Sequence, residues 1–182
     1  MLSLGLGNRR IAARRLYERA VEQARRPAFY RDLGVPDSLD GRFDMVALHV
    51  FLLLHRLRGE GAGAKRLAQA LFDTMFDDMD DSLREIGVGD LSVGKRVKAM
   101  AKALYGRIAA YEAGLAADDD SLDAALARNL YRNAAPKPEE VATLASYLRR
   151  EAAALARVSY ESLARGEVEF GAVSERAITP TR

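Results

Sequence analysis

From about Leu39 to Arg58 the chain carries apolar residues on nearly every side of a helical wheel. A helix of that kind is stable only when the rest of the molecule covers most of its surface. The remaining segments supply the cover, because they too repeat their apolar residues with helical rather than alternating spacing. About Asn8 to Arg25, the residues Ile11, Leu16, Ala20, Val21 and Ala24 gather on one side with Arg on the other. Pro27 interrupts that helix, and Asp37 or Ser38 can cap the next. A third helix is expected over Lys65–Arg84, with Phe72, Met75, Phe76 and Met79 at i, i+3, i+4 and i+7. A fourth opens at Ser92 with Val93, Val97, Met100, Ala101, Leu104, Ile108 and Tyr111 on one stripe. A short helix over Ser121–Tyr131 follows. The last starts at Pro138, with Glu139 and Glu140 in its first turn, and runs to about Leu163. The expected fold is therefore all-α: one helical domain of about six helices over residues 1–165, then a partly ordered tail over 166–182.

A chain of 182 residues can bury roughly 70% of its unfolded surface and needs no staples. It has no Cys, which excludes disulfides, thiolate metal sites and a Cys nucleophile. The most apolar run, Met45 to Leu54, contains His49 and is half the length of a bilayer span. No secretory signal is evident at the start. These features lead us to expect a cytoplasmic protein, or one that meets a membrane only from its surface.

Several patterns resemble sites and fail on chemistry. Gly89 to Arg96 fits a phosphate-binding loop up to its last position, where Arg96 replaces the hydroxyl residue that would bind magnesium. The acidic run from Asp77 to Asp81 lacks the Gly and Glu that a calcium loop requires at its sixth and twelfth places. His49 and His55 are six residues apart, which points them to different faces of a helix. His49 is read as a buried imidazole bonded to a neighbouring helix rather than a haem or metal ligand. No nucleophile pairs with a base. No catalytic residue, metal or cofactor is expected.

Charge is arranged in blocks. Residues 1–35 hold eight Arg against Glu18, Glu22 and Asp32. Asp73 to Asp90 contain seven acids and one Arg, whereas Ser92 to Tyr111 contain five cations and no acid. Such neighbouring blocks are read as solvated faces that help orient adjacent helices. The Met and Phe stripe of the third helix is read as core. Arg9, Arg10, Arg14, Arg15 and Arg19 could serve an anionic membrane or ribosomal RNA, diluted by Glu18 and Glu22.

Between Phe43 and Leu115 an ordered series of motifs stands out: Leu48-His49-Val50-Phe51 with Arg56-Leu57-Arg58, Leu71-Phe72, Asp77-Asp78-Met79-Asp80 and Leu83 through Leu91. Val93 to Lys98, Tyr105-Gly106-Arg107 and Ala110 to Leu115 complete it. In this series the chain resembles the ubiquinol–cytochrome c chaperones, assembly factors for cytochrome b, in their compact bacterial form. It departs from mitochondrial members at Val50, where they have Trp, and at Glu112, where they often have Asp.

The resemblance implies a helical, non-enzymatic chaperone that binds newly synthesised cytochrome b before complex III assembles. By analogy with mitochondrial relatives it also implies a ribosome and a small partner protein. The polar residues of this block exceed what a core requires. Asp77, Asp78, Asp80, Arg84, Glu85 and Asp90, with Lys95, Lys98, Tyr105, Arg107 and Tyr111, are therefore expected to form or brace the client-facing region. In the competing reading Arg84 and Arg107 are structural and bridge the acidic and basic helices. A different function, as an RNA- or ribosome-binding module using the Arg-rich first helix, is the alternative.

Overall fold

The computed structural model describes residues 2–173. Its elements are α1 (Leu2–Ala24), α2 (Pro27–Arg31), α3 (Leu39–Leu57), α4 (Ala62–Glu85), α5 (Asp90–Ala116), α6 (Ser121–Leu126), a π-helical turn (Ala127–Tyr131), α7 (Pro138–Leu155) and α8 (Tyr160–Ala164). Among the described residues there is no strand, and the expected all-α fold is what forms.

The central helix is α3. Ser38 caps it, its Oγ accepting from the Gly41 amide at 3.1 Å. Every residue from Phe43 to Leu53 is buried, because α1, α4, α5, α7 and the π turn pack around it. The inner face of α1 keeps the expected Leu16, Ala20 and Ala24, with Val21 at its edge, but is rotated to take in Ala12, Ala13 and Tyr17 in place of Ile11. Ala12, Ala13, Leu16, Tyr17, Ala20 and Ala24 are buried, while Ile11 stays 54% exposed. Small alanines let α1 lie close to α3 and α4, and that close approach turns Ile11 outward.

The long helices α4 and α5 form a hairpin. Gly87, at φ +84°, ends α4 in a Schellman motif: the Val88 amide donates to the Leu83 carbonyl and the Gly87 amide to that of Arg84, both at 3.0 Å. α5 then restarts at Asp90 rather than at Ser92, behind Gly89 and without a side-chain cap. At its far end α5 presses on α6, where a Cβ on Gly114 would lie 2.6 Å from the Leu122 Cα. Alanine there gains about 1 kcal/mol of helix propensity but forces two backbones apart. We expect Gly114→Ala to lose about 1–3 kcal/mol in urea unfolding; an unchanged or raised midpoint would contradict this packing.

Two expected helices are broken. The short helix is α-helical only to Leu126 and widens into the π turn, which ends on Arg132 at φ +49°. The last helix stops at Leu155 and resumes as α8. The Arg56 guanidinium takes the Val158 carbonyl exposed by that break, at 2.7 and 3.1 Å. Ser159 Oγ caps the restart by accepting from the Ser162 amide.

Residues 166–173, assigned to the tail on sequence grounds, pack on the body. Val168 and Val173 are buried, Gln23 donates to the Gly171 carbonyl at 2.8 Å and Glu151 accepts from the Gly171 amide at 2.8 Å. The rest of the expected tail lies outside the described residues.

Candidate functional site

The α4–α5 hairpin carries most of the polar residues singled out in the sequence, and it divides them into two groups. Arg107 and Tyr111 lie on the α5 stripe that faces α3. Arg107 is 8% exposed and Tyr111 1%. The Arg107 guanidinium pairs with Oδ1 of Asp44 on α3 at 2.5 Å, and Arg132 donates a hydrogen bond to the same Oδ1 at 2.9 Å while lying 2.8 Å from Oδ2. Burial pushes the Asp44 carboxyl up to about 6, against the opposing pull of Arg107 and Arg132. Tyr111 packs its ring 5.4 Å from Phe51. These two residues brace the hairpin from inside.

The other group faces outward. Asp77, Arg84 and Glu85 on α4 and Lys95, Lys98 and Tyr105 on α5 are exposed, and Asp80 is half-buried. Asp78 is tied to α1, accepting from the Tyr17 hydroxyl at 2.7 Å. Burial, reinforced by that hydrogen bond, raises the Tyr17 phenol above its ordinary range. Arg84 pairs along its own helix with Asp80 at 2.6 Å. The side chain of Asp90 lies outside the described residues.

The bridge expected between the acidic and basic helices does not run through Arg107, which turns to α3 instead. Among the described residues Lys95 and Lys98 make no ion pair. Charge blocks in a sequence do not set the rotation of one helix against its neighbour, so opposite signs need not meet.

Between the two charged rows lies an aromatic strip. The Phe72 and Phe76 rings stand 4.6 Å apart, and Tyr105 stacks on Phe72 at 5.3 Å while remaining 60% exposed. The Met and Phe stripe is thus core only in part. Met75 is fully buried, whereas Phe72, Phe76 and Met79 are half-buried at the edge of the core.

On α1, Arg10, Arg14, Arg15 and Arg19 are exposed and Arg9 is half-buried. Arg14 and Arg19 are paired within the helix to Glu18 and Glu22, and Arg15 donates to the Arg165 carbonyl. Local pairing of this kind leaves a weakly basic face.

His49 is fully buried with both ring nitrogens engaged, by the Met45 carbonyl at 2.8 Å and the Tyr147 hydroxyl at 2.9 Å. Burial pushes it down to about 4, so the imidazole is neutral. Among the described residues no three of His, Asp and Glu are placed to hold a metal ion. No described helix is long and apolar enough to cross a membrane.

Sequence reasoning missed Asp44, Arg132, Gln23, Tyr147 and Glu151. Asp44 had a signal: it is a carboxylate inside the run that is apolar on nearly every side.

The family model described as ubiquinol-cytochrome C chaperone matches residues 31–170. The chain is 29% identical to "Ubiquinol-cytochrome-c reductase complex assembly factor 1" of Xenopus laevis, over 92% of this chain and 84% of that protein. It is 29% identical to the Homo sapiens protein of the same name over 92% of this chain, which spans 56% of the human length. A solved structure, that of the Cbp3 homolog from Brucella abortus, superposes with a TM-score of 0.82 at 40% identity, covering 92% of both chains.

Proposed function

Because the chain belongs to the ubiquinol–cytochrome c chaperone family, we propose that it is an assembly chaperone for ubiquinol–cytochrome c reductase, complex III, and that it binds newly synthesised cytochrome b. The observation that carries this reading is the family match over 31–170, joined to a fold shared with the Brucella abortus Cbp3 homolog along nearly the whole chain. The function is non-enzymatic. Unassembled membrane subunits expose apolar helices before they find their neighbours, and a helical surface with adaptable aromatic and Met side chains suits transient capture.

The client-facing region is the outer surface of the α4–α5 hairpin, formed by Asp77, Asp80, Arg84, Glu85, Lys95, Lys98 and Tyr105. Arg107, Tyr111 and Asp78 hold it in place. Such a client sets the place of action at the cytoplasmic face of the inner membrane, with ribosomes and a small partner protein as further contacts. The basic face of α1 would meet those anionic surfaces.

Deletion of the gene, scored by haem b spectra and complex III activity, tests the reading together with crosslinking to nascent cytochrome b. We expect loss of haem b signal and of complex III activity, and a crosslink from the hairpin. Normal complex III in the deletion strain with no crosslink would sink it.

A further inference from the structure

The three-four spacing of a helix puts Asp73, Asp77 and Asp80 on one stripe of α4 beside Phe72 and Phe76, and Lys95, Lys98 and Lys102 on one stripe of α5 beside Tyr105. Phe76 packs on Phe72, and Tyr105 stacks on Phe72 from the other helix. The hairpin therefore presents an aromatic strip with a row of carboxylates along one side and a row of ammonium groups along the other. The rows do not neutralise each other. Asp73 accepts from Gln69 and Asp80 from Arg84, both on α4 itself. Among the described residues, Asp77, Lys95, Lys98 and Lys102 have no ion-pair or hydrogen-bond partner. Opposite charges on adjacent helices that do not pair with each other are held at a fixed separation, ready to read a third charged element laid between them.

We infer that this face docks one amphipathic helix of the client, its apolar side on Phe72, Phe76 and Tyr105, with basic residues over the α4 row and acidic residues over the α5 row. This rests on the chaperone reading and adds to it the chemistry of the recognised segment. An anionic membrane is a poor occupant, because the α4 carboxylates would face its phosphates. A helix with opposite charges on its two flanks satisfies both rows at once. The two charge rows also set the direction in which such a helix lies, since reversing it brings like charges together.

The test uses the full chain and three labelled model peptides of about 20 residues that share one leucine face. One has Lys along one flank and Glu along the other, the second has Lys on both, and the third has Glu on both. We expect the mixed-flank peptide to bind at least about ten-fold more tightly than the other two. Tyr105→Ala is expected to weaken the mixed-flank peptide by about ten-fold. In the Lys98→Glu/Lys102→Glu variant, preference is expected to pass to the peptide with Lys on both flanks. Affinities within about two-fold for all three peptides on the unmodified chain would overturn the inference. So would sedimentation showing that this face joins two copies of the chain in a dimer that the charge-reversed variant abolishes. If Lys98→Glu/Lys102→Glu fully restores complex III in the deletion strain, the docking surface is wrong and the assembly reading stands. If complex III is normal in the deletion strain, the reading itself fails whatever the peptides do.

Discussion

Arg107→Ala is expected to lower the unfolding free energy by about 3–5 kcal/mol, the cost of breaking a buried ion pair by removing one partner. That is a large share of the roughly 5–15 kcal/mol that holds a domain folded. The side chains involved are 9% exposed for Arg107 and 1% for Asp44, at 2.5 Å. Without Arg107, Asp44 keeps only Arg132, which is 40% exposed and can turn to water. The void left beside Phe43, whose ring lies 5.9 Å from the guanidinium carbon, adds to the loss. Replacing both members with apolar residues, as Asp44→Leu/Arg107→Leu, is expected to recover most of the stability, because a buried pair costs much of its own attraction in desolvation. Urea unfolding of the two variants separates these terms. A loss below about 1 kcal/mol in Arg107→Ala, the range of an exposed pair, would mean that the guanidinium is free to act at the surface. The expected result instead makes Arg107 the anchor of α5 on α3, which sets the rotation at which Lys98, Lys102 and Tyr105 face outward.

The burial of Arg107 could be seen in the sequence, since it lies three residues after Leu104 and four before Tyr111, inside the apolar stripe of its helix. The central helix was legible for the same reason: a run apolar on every side has only one environment open to it. The inner face of α1 was legible only in part, at Leu16, Ala20 and Ala24, because hydrophobic patterning weighs size. It favoured Ile11 over Ala12 and Ala13, whereas close helix packing rewards small side chains. The break after Leu155 carries no Pro or Gly. The contact that satisfies it is tertiary, from Arg56 to the Val158 carbonyl, and only the Ser159 cap was locally visible. Of the candidate site, the charge rows could be read from spacing within each helix. That the two rows do not pair with each other depends on how α4 and α5 are rotated against each other, and no local pattern reports that.

Stability between pH 6 and pH 4 is expected to reflect two buried groups acting in opposite directions. The Met45 carbonyl can only accept, so His49 Nδ1 carries its proton. Nε2 then accepts from the Tyr147 hydroxyl, whose oxygen accepts from Gln23 at 2.9 Å. The chain of bonds is complete for a neutral ring, and burial holds its folded pKa at about 4 against an ordinary 6.5. The unfolded state therefore binds the proton first, and stability falls by roughly 3 kcal/mol as pH drops from about 6.5 to about 4. Asp44 works the other way. Its folded pKa is about 6 against an ordinary 3.8, so the folded state takes the proton first and gains roughly 3 kcal/mol across an overlapping window. Together they leave the native protein with a shallow acid limb in this range. His49→Gln removes one term and keeps a polar group for Tyr147. Whatever its own cost at pH 7, its stability relative to wild type should rise by roughly 3 kcal/mol between pH 6.5 and pH 4, read as converging urea midpoints. Parallel curves for the two proteins would show that the imidazole is not held neutral by the core. A variant that gains nothing in absolute stability over the same range would remove Asp44 from the account.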